Sequence, residues 1–130
     1  MAVDKIIQVY DNVFKGVMKA PKGELLIGDQ EKGLSPYNLL LGALGSCYYH
    51  TFVEIAKKKR LTFDGANVEI TGKKRTVVPT TLETALIKIV IKNASDEKKF
   101  VKTAELAADN CSIHATISKV AKIDLEVAFE

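Results

Sequence analysis

The stretch SPYNLLLGALGSCYYHTFVEIAKKKR, residues 35–60, predicts a long helix at the centre of the molecule. Ser35 is a residue type that caps helix N-termini with its side chain, and Pro36 suits the first helical position because its missing N–H has no partner there. No other proline interrupts the stretch before the basic run at residues 57–60. Cations suit a helix C-terminus, where unpaired carbonyl groups carry partial negative charge. Both ends of the helix are therefore marked.

Apolar and small residues occupy every side of this helix between Leu39 and Tyr49, whereas a surface helix carries a single apolar stripe. The stretch is too short, and too interrupted by Gly42, Gly45 and His50, to span a membrane. We therefore expect the helix to be buried almost all round. In a chain of 130 residues, such burial requires a partner subunit to cover part of the helix.

Shorter alternating segments on both sides of the helix predict strands. Residues 4–28 contain several short strands, residues 66–75 and 80–93 predict an antiparallel pair, and IDLEVAFE at residues 123–130 predicts a closing strand. Between these strands, Ser95, Asp96 and Glu97 can cap a helix over residues 98–110, and CSIHATISKVA at residues 111–121 predicts a second helical piece. This order of elements predicts an α+β fold.

The composition is that of one globular domain spanning residues 1–130. Apolar residues make up 47% and charged residues 27% of the 14.2 kDa chain, which excludes wholesale disorder. A formal charge of +3 argues against a dedicated nucleic-acid binder. Two cysteines cannot form a multi-bridge secreted framework, and the N-terminus lacks the features of a signal peptide. We therefore expect a soluble cytoplasmic protein, with neither nucleic acid nor membrane as a partner.

The two cysteines occur in similar local patterns, which are predicted to be helical. Cys47 is followed by His50, and Cys111 by His114, so that each pair lies on one helical face. Three interpretations are open at this point. The four side chains match the ligands of a structural zinc site, the two thiols match a redox pair that passes through a sulfenic acid to a disulfide, and a free cysteine is often an inert core residue.

Two segments carry a resemblance that chooses among these interpretations. SPYNLLLGALGSC, residues 35–47, and AELAADNCSIHATIS, residues 104–118, resemble the two cysteine motifs of the OsmC/Ohr family of thiol peroxidases (osmotically inducible protein C and organic hydroperoxide resistance proteins). The spacing of the cysteines and the order of strands and helices agree with that family along essentially the whole chain. One departure is Ser112, which stands where the second motif commonly has proline.

The resemblance implies a fold, an assembly and an activity. The implied fold has antiparallel sheets and a long buried central helix, in an intertwined homodimer. The implied activity is the reduction of organic hydroperoxides in oxidative stress defence, with Cys47 as the attacking thiolate and Cys111 as the resolving thiol that closes a disulfide. An external dithiol would regenerate the enzyme. No metal or organic cofactor is implied, because sulfur carries the electrons.

The family also pairs its attacking cysteine with an arginine from the N-terminal strands and a glutamate beside the helix-start proline. In this chain no arginine precedes Arg60, and Tyr37, which stands where the glutamate would be, is a candidate supporting residue. Lys15 and Lys19 are the candidates for the missing positive charge, although lysine lacks the planar fork of arginine.

Further along the helix, Glu54 lies on the same stripe as Cys47 and is a candidate for the missing carboxylate, while His50 is a candidate base or cation. Position along the helices favours Cys111 as the more acidic thiol, because Cys47 lies in mid-helix, where the helix dipole has little effect. The resemblance instead assigns the attack to Cys47. Two alternatives remain beside the peroxidase: an OsmC-like protein that binds a small apolar ligand without turnover, and a metal-binding protein that uses Cys47, His50, Cys111 and His114.

Overall fold

The computed structural model describes residues 1–130 and has the predicted α+β class. Two compact units make up the chain, Met1–Leu40 and Leu41–Glu130, and the single domain expected from the sequence stays a prediction. The N-terminal unit is an antiparallel meander of β1 (Ile7–Tyr10), β2 (Lys15–Ala20) and β3 (Gly23–Gly28). The strands predicted within residues 4–28 are therefore confirmed.

The long helix α1 (Pro36–Lys58) begins and ends where the sequence predicts. Ser35 and Asn38 cap it reciprocally: Ser35 Oγ accepts from the Asn38 N–H at 3.1 Å, and Asn38 Oδ1 accepts from the Ser35 N–H at 2.9 Å. Lys57 and Lys58 lie in its last turn. No helix of the structure has the length and apolar character needed to cross a membrane.

The C-terminal unit contains β4 (Gly65–Lys74), β5 (Leu82–Lys92), α2 (Glu97–Asn110), α3 (Ser112–Ile117) and β6 (Lys122–Phe129). The strands form one sheet in the order β4-β5-β6. β4 and β5 are antiparallel as predicted, but β5 and β6 run parallel, so this sheet is mixed and not wholly antiparallel. Parallel neighbours need a long crossover, which residues 93–121 provide with α2 and α3.

The core of this unit lies where α1, α2 and one face of β5 bury their apolar residues. β5 contributes every second residue, and the helices contribute residues three or four positions apart, as their periods require. The buried residues are Ala85, Ile87, Ile89 and Ile91 of β5, Leu44, Gly45, Tyr48, Phe52 and Ala56 of α1, and Phe100, Thr103, Ala104 and Ala107 of α2.

Five aromatic side chains form a cluster within and at the edge of this core, called the aromatic cluster below. Its members, Tyr48, Tyr49, Phe52, Phe63 and Phe100, come from α1, from α2 and from the loop after α1. Phe52 lies at the centre, with all four other rings at centroid distances of 5.6–6.4 Å. Such distances are those of favourable aromatic pairs, and the cluster therefore holds α1 against α2.

Burial of α1 is less complete than the sequence predicts. Within the single chain, α1 buries one stripe fully, while Leu39, Leu40, Leu41 and Ala43 are half-buried and Gly42 is exposed. Burial on every side is therefore not reached in one copy of the chain.

Candidate functional site

Cys47 lies in the middle of α1, beside the buried stripe, and its side chain is half-buried. Its Sγ is 3.8 Å from the Oγ of Ser112, the first residue of α3. α1 therefore presents this thiol to the start of α3, so that the ionisation of Cys47 does not depend on the dipole of α1 alone.

Cys111 lies at the junction of α2 and α3, with φ −77° and ψ 120°. The sequence predicted that it is helical, but the structure places it between the two helices. This extended residue is the N-cap of α3, and its Sγ accepts a hydrogen bond from the His114 N–H at 3.4 Å. The repeated Cys-x-x-His pattern thus describes two different geometries: a mid-helix pair at Cys47 and a capping turn at Cys111. Only 1% of Cys111 is exposed, whereas Cys47 is half-buried. Solvent therefore reaches the two thiols from the side of Cys47.

The pKa of the Cys47 thiol lies below its ordinary value, although partial burial acts to raise it. The Ile113 N–H, the Cys111 thiol, and both the hydroxyl and the N–H of Ser112 hydrogen-bond to the sulfur and favour its charged form. Together these donors outweigh the desolvation. The junction of α2 and α3 therefore stabilises a thiolate at Cys47.

The pKa of Cys111 is shifted in the opposite direction. Burial raises it, and the hydrogen bond to Cys47 and the negative charge of that residue raise it further, while the His114 N–H partly offsets these effects. The prediction that Cys111 is the more acidic thiol is therefore wrong. It considered each cysteine with its own helix, whereas Cys47 interacts with the start of α3 across the fold.

Tyr48 supports this arrangement from inside the core. Its hydroxyl is fully buried and donates to the Ala104 carbonyl oxygen of α2 at 3.0 Å. Burial raises the pKa of Tyr48 above its ordinary range, and the charge that Cys111 carries when it is ionised raises it further. The sequence shows Tyr48 only as a member of an apolar helix, and its partner on α2 cannot be identified from spacing.

The other residues singled out from the sequence lie elsewhere. His50 and Glu54 are exposed on α1, and Tyr37 is half-buried in its first turn. Lys15 and Lys19 are exposed on β2 of the N-terminal unit. None of these five is among the groups that shift the pKa of Cys47, and their supporting roles stay predictions.

No group of three or more His, Cys, Asp or Glu side chains in the chain is arranged to hold a metal ion. Cys47, His50, Cys111 and His114 therefore do not form a four-ligand cluster in one chain. The structure brings together the two thiols of this set.

An open groove of about 340 Å³ lies between α1 and β4. At the floor of the groove α1 and β4 approach closely at Gly45, where an added Cβ atom would lie only 3.1 Å from Ile70 Cγ1. The lining is mostly apolar and consists of Leu41, Gly42, Gly45, Ser46, Tyr49, Ala66, Val68 and Ile70. Cys47 is not part of the lining.

Comparison with known proteins agrees with the resemblance seen in the sequence. The model of the family described as OsmC-like protein matches residues 28–126. A solved structure of a hypothetical protein from Aquifex aeolicus is 30% identical, with a TM-score of 0.85 over 100% of this chain and 99% of that one. An OsmC like protein from Mycoplasma pneumoniae is 19% identical, with a TM-score of 0.86 over 98% and 97% of the two chains.

A further similar structure is that of an organic hydroperoxide resistance protein from Elizabethkingia anophelis. It is 12% identical, with a TM-score of 0.79 over 100% of this chain and 98% of that one, and shows likeness of fold. A search of curated proteins finds no match. The family model covers most of the sequence, and the chain therefore belongs to the OsmC-like family.

Proposed function

We propose that this protein is a thiol-dependent peroxidase that reduces organic hydroperoxides in oxidative stress defence. The observation that carries the proposal is the pair of interacting thiols with opposite pKa shifts. The more exposed thiol is the one whose thiolate is stabilised, and the buried thiol beside it stays protonated. Attack needs a thiolate that a substrate can reach, and resolution needs a second thiol in contact with it.

In the first step the Cys47 thiolate attacks the terminal oxygen of the hydroperoxide, the one that carries the hydrogen atom. A sulfur–oxygen bond forms as the oxygen–oxygen bond breaks, so that Cys47 becomes a sulfenic acid. The alkoxide leaves with the electron pair and takes a proton from water to become the alcohol. Sulfur is oxidised by two electrons and the peroxide is reduced by two.

In the second step the Cys111 sulfur attacks the sulfur of the Cys47 sulfenic acid. A disulfide forms, and the hydroxyl group leaves as water with the proton of Cys111. An external dithiol then returns two electrons and two protons. A cytoplasmic location suits this cycle, because reducing systems there keep cysteines as thiols.

The relatives support an organic substrate. Structures similar to this one include proteins described as organic hydroperoxide resistance proteins, from Elizabethkingia anophelis and Legionella pneumophila. An alkyl hydroperoxide also gains about 0.8 kcal/mol for each methylene that it buries. We therefore expect faster reaction with cumene hydroperoxide than with hydrogen peroxide.

The test is intact mass under non-reducing conditions, after one equivalent of cumene hydroperoxide is added to reduced protein. We expect rapid loss of two hydrogen atoms from the wild-type chain. Cys111→Ser should instead gain one oxygen that a sulfenic-acid trap captures, and Cys47→Ser should not change. An unchanged wild-type mass, or slow addition of oxygen that does not require Cys47, would overturn the proposal.

A second candidate function rests on the groove between α1 and β4, whose apolar lining suits a small apolar ligand. On this alternative the protein binds such a ligand without peroxidase turnover. An apolar fluorescent probe and a peroxide assay separate the two functions. The alternative predicts that the wild type binds the probe, that Ala66→Trp blocks this binding, and that neither protein reduces peroxides, whereas the peroxidase predicts peroxide reduction by both.

We also propose that the protein is a homodimer. Within the N-terminal unit, large apolar side chains are 40–61% exposed on the meander, among them Ile7, Val9, Val13, Phe14, Leu25 and Leu26. By strand register, Ile7, Val9 and Leu26 lie on one face of the meander, and an exposed apolar face of this kind favours an interaction site. Light scattering should give twice the 14.2 kDa chain mass, and Val9→Glu should lower it; a monomeric wild type would refute the dimer.

A further inference from the structure

Ser112 departs from the proline that is common at this point of the second cysteine motif, and the structure gives the departure a chemical meaning. We propose that Ser112 is a catalytic residue, whose hydroxyl donates a hydrogen bond to the Cys47 sulfur during attack on the peroxide. The inference rests on the proposed function for its effect on peroxide reduction, but its effect on the thiol can be measured without peroxide.

The contact that carries this inference is direct. Ser112 is the first residue of α3 and follows Cys111, so the junction that positions the resolving thiol positions this hydroxyl as well. Its Oγ lies 3.8 Å from Cys47 Sγ, a hydrogen-bonding distance for an atom as large as sulfur. The hydroxyl hydrogen of a serine rotates to suit an acceptor, and a thiolate can only accept.

Serine supplies two donors at this point where proline would supply none. Proline has neither a hydroxyl nor a backbone N–H. In this chain both groups of Ser112 contribute to the lowered pKa of Cys47. Since no arginine precedes Arg60 in the sequence, a neutral donor at residue 112 provides stabilisation of the kind that a cationic partner would otherwise give.

Other groups near the sulfur remain in place when Ser112 is changed. Cys111 is the titratable side chain whose hydrogen bond also lowers the pKa of Cys47, and the Ile113 N–H is a further donor. Tyr48 interacts electrostatically with Cys111. A change at Ser112 therefore removes one or two donors from a set that otherwise persists.

The experiment measures how alkylation of Cys47 by iodoacetamide depends on pH, with peptide mass analysis to separate Cys47 from Cys111. In Ser112→Ala we expect a higher alkylation midpoint and a thiolate fraction at pH 7 that is about threefold to tenfold lower, as loss of one hydrogen bond of ordinary strength predicts for a contact as long as 3.8 Å. Ser112→Pro should raise the midpoint further, and Ser112→Thr should keep it close to that of the wild type.

Ser118→Ala is the matched control. Ser118 is the C-cap that follows α3, and its hydroxyl donates to the Ala115 carbonyl oxygen, so its removal should leave the alkylation midpoint unchanged. Thermal unfolding shows whether each variant is folded. The rate with cumene hydroperoxide at pH 7 should fall in Ser112→Ala in proportion to the thiolate fraction.

The outcomes separate this inference from the proposed function. An unchanged midpoint in folded Ser112→Ala overturns the role of Ser112, whether or not the protein reduces peroxides. A raised midpoint in Ser112→Ala with a peroxide rate equal to that of the wild type also overturns it, because the donor then has no effect on attack. A raised midpoint in a protein whose wild type does not reduce peroxides supports the hydrogen bond, but it overturns the proposed peroxidase activity and with it the catalytic role of Ser112.

Discussion

Replacement of Phe52 by alanine tests the aromatic cluster that joins α1 to α2. Phe52 is fully buried and is in ring contact with Tyr48, Tyr49, Phe63 and Phe100. A buried phenylalanine replaced by alanine costs about 3–5 kcal/mol, from lost transfer free energy and from the cavity left behind. Four ring contacts place Phe52→Ala in the upper half of that range, since each aromatic pair adds about 0.5–1.5 kcal/mol beyond its buried area.

Such a loss is large beside the total stability of a domain, which is about 5–15 kcal/mol. For a chain of this size, about 4 kcal/mol lowers Tm by roughly 10–20 °C. The assay is urea unfolding followed by circular dichroism, in which the midpoint should fall while the slope m stays the same. Reduced protein is used throughout, so that no disulfide contributes.

Leu106→Ala is the control, because Leu106 lies on α2 but is 41% exposed. We expect it to change the free energy of unfolding by less than about 1 kcal/mol. A loss below about 1.5 kcal/mol in Phe52→Ala, or equal losses in the two variants, would show that the cluster does not hold α1 against α2 as described.

Three further predictions concern the thiols and the helices. At pH 7 iodoacetamide should label Cys47 in Cys111→Ser faster than Cys111 in Cys47→Ser, because the folded pKa of Cys47 is lowered and that of Cys111 is raised; a Cys47 midpoint above about 8.5 contradicts this. Asp96→Ala should lower the free energy of unfolding by about 1 kcal/mol in urea titrations, through loss of the side-chain bond to the Lys99 N–H, and Asp96→Asn should retain most of it. Tyr48→Phe should cost about 0.5–1.5 kcal/mol by the same assay, and no measurable loss would argue against its bond to α2.

The elements with strong local signals were predictable from the sequence. Ser35 and Pro36 mark the start of α1, because capping depends on residues that are close in the chain. Asp96 was among the predicted capping residues of α2, and its side chain does cap that helix. Alternation within residues 80–93 likewise predicts β5. In each case the physical cause lies within a few positions of the residue concerned.

Features that depend on distant contacts were not predictable. Alternation within residues 123–130 predicts a strand but not that β6 pairs in parallel with β5, since the same pattern suits either direction. The order of the two thiol pKa values was predicted in reverse, because the donors to Cys47 come from residues 111–113. Ser112 was visible only as a departure from a motif, and its contact with Cys47 became evident only in the folded chain.

The parallel pairing of β5 with β6 also has a consequence for the newly made protein. Cys111 lies in the crossover between these strands, so its segment is held at both ends only after residues 122–129 have been synthesised and have paired. While the chain is still emerging from the ribosome, α1 can form without its neighbours at residues 111–113. We therefore expect Cys47 to acquire its lowered pKa late in biogenesis, and a nascent chain arrested before β6 to carry an ordinary, weakly reactive thiol at this position.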